Sequence, residues 1–406
     1  MNNCLIDSLY SSELFEAPCK SMLNFTFHNP TKVFFGRDTI RQITGEIPKD
    51  CRVMITFGGG SARQNGALNE VQTALQGYDV TLFGGIEPNP EYETLIKGVV
   101  IAREKKINYL IAVGGGSVID GTKFMAAAIP FSGPPFLLLD NKGSDIRRAL
   151  PVGAVVTLPA SGSEMNSRAI ISRRNFMVKR AIMNSVLFPR FAVLDPTKTY
   201  SLPARQTGNG VVDTFVHVLE QYLTYPVGGS VQDRLAEGLL HVLIEEGPKA
   251  LTDPENYDVR ANLMWAATLG LNGLIGAGVP QDWAAHRIGY ELTVLYGLDH
   301  ACTLSVLVPA MLQVRAQGKR HKLLQYAERI WHVVSGSEEE RMEEAIHKTR
   351  IFFGSMGLPT RFSDCGVPNV DIDRIIRMLE EHGMVNLGEN NDVTLEMMRK
   401  ILELCL

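Results

Sequence analysis

The sequence predicts an α/β fold in two parts, a parallel doubly wound sheet followed by an all-helical domain. Three observations predict it. From residue 52 short apolar runs alternate with stretches of helical spacing, two glycine-rich turns recur at equivalent places in that alternation, and after Pro203 the apolar spacing is helical to the end. A chain of 406 residues is long enough for two to three domains with a full hydrophobic core.

Residues 1–21 carry Asp7, Glu13 and Glu16 where a secretion signal needs an apolar run, so they read as a disordered tail. Residues 24–28 and 32–36 alternate or cluster apolar side chains, as strands at a sheet edge do; such an edge invites a second chain, which predicts a homodimer. Next come a strand at 52–57, a helix at 62–76, a strand at 80–83, a helix at 91–105, a strand at 107–113 and a helix at 118–128. Apolar runs at 152–158, 169–172 and 191–194 predict that the sheet extends to about residue 200, and the boundary is set between 204 and 205.

In the second part Ile372, Ile375, Ile376 and Leu379 repeat at helical spacing between Asp371, a candidate N-cap, and Gly383, a stop. Ser337 with Glu340 predicts a capping box, and Asp253 before Pro254 predicts a helix start. Residues 261–281 hold no charge, long enough to cross a bilayer, but Gly270, Gly273, Gly276, Gly278 and Pro280 make a buried helix breaking into a loop the better reading. A membrane partner is not expected.

A net charge of −4 leaves no basic excess for a phosphate backbone, which excludes nucleic acid as the expected partner. Six cysteines without a CxxC pair fit a reducing, cytoplasmic setting.

Two features carry chemistry. Gly58-Gly59-Gly60-Ser61 and Gly114-Gly115-Gly116-Ser117 each fall where a predicted strand meets a predicted helix, and such turns either cradle an anion at the helix N-terminus or are simply tight. Neither matches G-x-G-x-x-G. Asp213 and His217, four apart, share one helix face. His286 and His300 are fourteen apart, about 21 Å on a straight helix, whereas ligands of one ion must lie within about 4 Å of each other. A chain break is required, and Gly297-Leu298-Asp299 supplies it. His321, His332, His347 and His382 read as solvated helix positions.

These residues, with Glu87-Pro88-Asn89-Pro90, the run from Gly114 through Asp120 to Lys123, Thr157-Leu158-Pro159-Ala160-Ser161-Gly162-Ser163-Glu164 and Val193-Leu194-Asp195-Pro196, resemble the iron-containing alcohol dehydrogenases from about residue 23 to the end. The texture at 278–284 and 297–301 is similar to the bacterial branch of NADPH-dependent aldehyde reductases and butanol dehydrogenases. The resemblance implies a dehydroquinate synthase-like fold, with a dinucleotide-binding domain at 22–204 and a metal-binding domain at 205–406. It also implies aldehyde–alcohol interconversion and a divalent ion, Fe²⁺ or Zn²⁺, held by Asp213, His217, His286 and His300. Gly115, Gly116 and Ser117 would hold the pyrophosphate of the cofactor, and Asn89, Asp120, Thr157, Ser161 and Lys179 would line the rest.

The cofactor is expected to be NADP, with NAD the alternative. After Gly58, Gly59 and Gly60 the chain offers Ser61 and Arg63 and no acid until Glu70, and an acidic side chain there would repel a 2′-phosphate. Tyr290 stands where the family pattern has a histidine four residues beyond the third ligand, so beside the catalytic His286 the proton route stays open: a relay through the Tyr290 phenol and a water chain, water alone, or a Tyr290 that only packs against the cleft wall. Two rival readings stand beside this one. A glycerol or glycerol-1-phosphate dehydrogenase on the same fold would, for a phosphorylated substrate, need a basic pocket near the metal. A non-catalytic nucleotide-binding scaffold would have no use for a complete metal site.

Overall fold

The computed structural model describes residues 21–367 and 369–406. The tail expected at 1–21 therefore lies, but for Ser21, outside the described residues.

β1 (Lys32–Phe35), β2 (Arg52–Phe57), the short α1 (Ser61–Gln64), α2 (Ala67–Ala74) and β3 (Asp79–Phe83) lead into α3 (Tyr92–Glu104), β4 (Tyr109–Gly115) and α4 (Gly116–Ala128). After α5 (Leu137–Asp140) come β5 (Val152–Leu158), β6 (Arg168–Arg173), β7 (Val178–Met183) and β8 (Phe191–Leu194). Six strands form one parallel sheet in the order β1-β8-β5-β4-β2-β3. Its central strand β4 is buried along almost its whole length, as a strand covered on both faces must be, and its residues are correspondingly apolar. The chain leaves β2 outward to β3 and then returns to β4 on the other side, so the winding reverses between β2 and β4. The carboxyl ends of these two strands are where an open α/β sheet leaves a crevice, and both glycine turns begin there.

Two expectations need correction. The helix predicted at 62–76 is two helices, because Gly66 takes φ +79° between them. The run at 169–172 does not extend the main sheet. It lies in β6, which pairs antiparallel with β7 from Arg168 opposite Met183 to Arg173 opposite Val178. The place beside β5 belongs to β8, and a hairpin partner a few residues away is the nearer choice for β6.

The second part is built from α6 (Ala204–Tyr222), α7 (Ser230–Thr252), α8 (Tyr257–Gly270), α9 (Ala284–Tyr296), α10 (His300–Val314), α11 (Arg320–Arg329), α12 (Glu338–Ser355) and α13 (Ile372–Glu381). A two-stranded turn, β9 (Asn386–Leu387) with β10 (Val393–Thr394), precedes α14 (Leu395–Leu404). α6 and α10 are buried nearly all round and form the centre of its core. Ser337 and Glu340 make the capping box, and Asp371 caps α13 ahead of Gly383. The start expected at Asp253-Pro254 is instead the end of α7; α8 begins four residues later, capped by Asn256. The uncharged stretch is α8 followed by loop, and no described helix is long and apolar enough to cross a membrane.

Candidate metal centre and cofactor crevice

Asp213, His217 and Glu220 lie at positions i, i+4 and i+7 of α6, one face of a helix buried at every residue from Thr207 to Tyr222. Gly297 ends α9 in the left-handed region at φ +66°, and α10 starts at His300, so the chain turns back and brings His300 beside His286. The break that the spacing demanded is there. The Nε2 atoms of His217, His286 and His300 stand 3.7, 3.9 and 3.7 Å from one atom, Asp213 Oδ1. Tetrahedral ligands about 2.1 Å from an ion are about 3.4 Å from one another, close to each of these distances from Asp213, although His217 does not join the group whose donor atoms are all mutually close. One donor atom each from Asp213, His286 and His300 lies within 4.8 Å of the others.

The donor set fits a cation on three further grounds. Asp213 Oδ1 and His286 Nε2 are buried and have no hydrogen-bond partner, a costly state unless something binds them. Burial pushes His217 and His286 down to about 4, against the pull of Asp213, and drives His300 well below its ordinary value. All three imidazoles are neutral near pH 7, the form that ligates. His286 Nδ1 also pairs with the carboxylate of Glu220, whose other oxygen accepts from Ala285 N–H at 2.8 Å. A proton on Nδ1 given to Glu220 leaves Nε2 free toward Asp213.

The segment entering α9 is held firmly. Trp283 takes φ +62°, rare for a bulky residue, while Asp282 N–H donates to Glu220 O at 2.9 Å and Asp282 Oδ1 accepts from Ala284 N–H at 3.1 Å. Behind this turn, buried Arg315 and Lys319 share three carboxylates: Asp282, Glu389 and Asp392.

The crevice side is made mostly of backbone. Gly59, Gly60, Ser61 and Arg63 are exposed beyond β2, and Arg63 lies over the Phe57 ring at 5.0 Å; Gly58 is half-buried against Ile86. A Cβ on Gly116 would stand 2.2 Å from Ser161 Oγ, and one on Gly115 3.1 Å from Leu158 Cβ. These two glycines are therefore needed for close packing at the start of α4. Ser117 Oγ accepts from Asn89 N–H at 3.2 Å, and Asn89 Oδ1 accepts from Lys179 Nζ at 2.8 Å. Thr157 is buried on β5. Asp120 accepts from Ser163 Oγ at 2.5 Å and Ile170 N–H at 2.9 Å, so its carboxylate ties α4 to β6.

Lys179 joins the two sides. Its ammonium lies 4.9 Å above the Tyr290 ring, and the Tyr290 ring is 5.9 Å from that of His300. Burial pushes Lys179 down to about 8, opposed by Asp213 and Asp120, and raises the Tyr290 phenol. The structure thus brings Asn89, Ser117 and Lys179 together and carries them to Tyr290 and the metal cluster. The Gly58–Arg63 turn lies beside the start of α4, a Cβ on Gly58 standing 3.6 Å from Val118 Cγ2.

Glu220 and Trp283 were missed from sequence. The i+7 spacing of Glu220 from Asp213 was a usable signal; Trp283 gave none, because its unusual φ is imposed by the turn. Of the four histidines expected on solvated helices, His321 and His347 are so placed, but His332 lies off a helix at φ +56° and stacks 5.7 Å from His241. His382 follows α13 and meets the buried Glu291 carboxylate at 2.9 Å. It ties α13 to the helix that bears His286.

A reversed parallel sheet with glycine turns at its crevice, facing a buried Asp and three His on helices, defines a class of metal- and dinucleotide-linked enzyme, and this chain belongs to the iron-containing alcohol dehydrogenases. Residues 30–196 match the Iron-containing alcohol dehydrogenase family and residues 207–404 the Fe-containing alcohol dehydrogenase family, C-terminal. It is 55% identical over 384 residues to the NADPH-dependent aldehyde reductase YqhD of Escherichia coli, covering 94% of this chain and 99% of that protein. A probable NADH-dependent butanol dehydrogenase 1 of Bacillus subtilis is 37% identical over 87% of this chain and 92% of its own length. The crystal structure of E. coli YqhD superposes with a TM-score of 0.94 at 53% identity, covering 95% of this chain and 100% of that one.

Proposed function

We propose that the protein is a metal-dependent oxidoreductase that reduces short aldehydes to primary alcohols with NADPH, the path being reversible with NADP⁺. The carrying observation is the convergence of one carboxylate oxygen and three neutral imidazoles at the end of a crevice lined by glycine turns. When bound, a divalent ion draws electron density from the aldehyde oxygen, while NADPH supplies the hydride to carbon and the oxygen takes up a proton.

Asp213, His217, His286 and His300 would hold the ion; their mixed nitrogen and oxygen donors suit Fe²⁺ or Zn²⁺. Gly115, Gly116 and Ser117 would receive the pyrophosphate, with Asn89, Asp120, Thr157, Ser161 and Lys179 around the remainder. Gly58, Gly59, Gly60, Ser61 and Arg63 would take the 2′-phosphate end, where no acidic side chain opposes it. NADH serves the Bacillus relative by its name, so this turn is the place where the two cofactors are told apart. Tyr290 lies beside His300 and under Lys179, where a phenol can pass a proton between solvent and the forming alcohol.

The 22–204 and 205–406 division into a cofactor-binding and a metal-binding domain follows from the same reading. A homodimer is supported by the open edge of β1 and by the exposed Phe35 on it. A cytoplasmic setting is supported by the cysteine pattern.

The test is oxidation of NADPH with butanal. Turnover is expected to vanish with chelator and to return with Fe²⁺ or Zn²⁺. Full turnover in metal-free protein would overturn the reading.

A further inference from the structure

A cation in the seam between the two parts makes no ion pair among the described residues. Arg168 opens β6, and its backbone is fixed: its N–H donates to Asn166 Oδ1 at 3.0 Å and its carbonyl accepts from Lys123 Nζ at 2.8 Å. Lys123 is fully buried, its ammonium also bonded to Ser163 Oγ at 2.9 Å and to Asn166 O at 2.8 Å. From this rigid base the half-buried guanidinium reaches toward the metal cluster and lies 5.3 Å from the centre of the Trp283 ring. Trp283 in turn stands 5.4 Å from the His286 ring and 6.2 Å from that of His217. A single indole therefore bridges the guanidinium and two of the proposed ligands.

Among the described residues, no hydrogen bond or ion pair is made by the Arg168 side chain. Two other arginines contrast with it, although Arg173 and Arg180 of the same hairpin likewise make no side-chain hydrogen bond or ion pair among the described residues. Arg315 has three carboxylates, and Arg260 donates to Thr207 Oγ1 and Pro254 O. The charges nearest Arg168 only sharpen the contrast. Arg287, the next residue after His286, is also without an ion pair among the described residues and opposes it; Lys179 is a third cation nearby. The carboxylates on this side are engaged: Asp213 with the imidazoles, Glu220 with His286, and Asp120 with Ser163 and Ile170. A half-buried cation whose side chain meets an indole face keeps its N–H donors unpaired within the described protein, and a guanidinium presents paired donors that match a carboxylate.

We propose that Arg168 makes this enzyme select short aldehydes that carry a carboxylate, the guanidinium gripping that carboxylate while the carbonyl end faces the Asp213–His217–His286–His300 cluster. Trp283 supplies the apolar wall for the methylene chain between the two ends. The inference rests on the aldehyde-reductase reading given above and narrows its substrate class. Arg168 is a specificity residue, since it touches the far end of the substrate and not the reacting carbon.

The test compares 4-oxobutanoate with butanal, equal in chain length, using metal-loaded protein and NADPH. The wild type is expected to favour 4-oxobutanoate at least about tenfold in kcat/KM. R168Q should abolish most of that preference through KM, R168K should keep part of it, and added salt should raise KM for 4-oxobutanoate much more than for butanal. Equal use of both aldehydes by the wild type overturns the proposal, as does a loss in R168Q that is the same for both. A rise in the KM for NADPH in R168Q, with butanal as substrate, assigns the side chain to the cofactor and also overturns it. Oxidation of NADPH with neither aldehyde, metal content being intact, refutes the aldehyde-reductase reading itself. The two failures are thus told apart.

Discussion

The two sides of the proposed active site are made of different material. The crevice at β2 and β4 is chiefly backbone, packed too closely for side chains at Gly114 to Gly116 and open to water from Gly59 to Ser61. The metal centre is chiefly side chain, withdrawn from solvent on α6, α9 and α10, with each imidazole held neutral by burial. The first gains by leaving atoms out and the second by holding atoms in place. Their failures should therefore differ: a substitution on one side should spare the binding property of the other.

The strongest way to break that separation is His286→Ala, which removes one of the four proposed donors and leaves Glu220 without its imidazole partner. Metal content after dialysis should fall close to zero and turnover by about a thousandfold or more, while NADPH still binds by fluorescence titration with near-normal affinity. Retention of the ion at wild-type stoichiometry would remove His286 from the ligand set.

Gly116→Ala probes the other side. The added Cβ would meet Ser161 Oγ at 2.2 Å and Ser161 Cβ at 2.9 Å, so either α4 or the 161 loop must move. Affinity for NADPH should weaken on the order of tenfold, with the metal retained. If NADPH binds the variant as it binds the wild type, this turn does not carry the pyrophosphate.

The smallest effect is expected at Tyr290, which lies between the two sides. Tyr290→Phe keeps the ring under Lys179 and beside His300 and removes only the hydroxyl. A proton relay predicts a fall in kcat of about tenfold, less than a full general acid contributes, and a changed pH–rate profile with metal content and KM for NADPH intact. An unchanged profile would mean that the ring serves only as packing.

Much of this was legible in the sequence, and the reasons differ by region. Gly58 to Ser61 and Gly114 to Ser117 could be placed because strand, turn and helix signals are local and repeat. The pairing of His286 with His300 could be inferred because metal-ligand distances are short enough to demand a break, and Gly297 is a residue that can make one. β6 was misassigned because an apolar run does not say which strand it will pair with. Glu220 and Arg168 were unseen for another reason. The i+7 spacing puts Glu220 on the Asp213 face of α6, but its pairing with His286, like a cation without a carboxylate, is a relation between segments far apart in the chain that no spacing records.

The ionic cluster behind α9 carries one more consequence. Arg315 and Lys319 are balanced by Asp282 together with two acids of the final segment, Glu389 and Asp392. A chain ending before Glu389 would keep every proposed metal ligand, yet it would leave two interior cations to a single carboxylate. Losing one side of a buried ion pair costs about 3–5 kcal/mol, and here the loss would fall on Asp282, whose backbone is bonded to Glu220 and whose side chain caps the turn before His286. The far carboxyl end of the protein thus serves as a counterweight for the metal centre, and trimming it would be felt at a histidine about a hundred residues upstream.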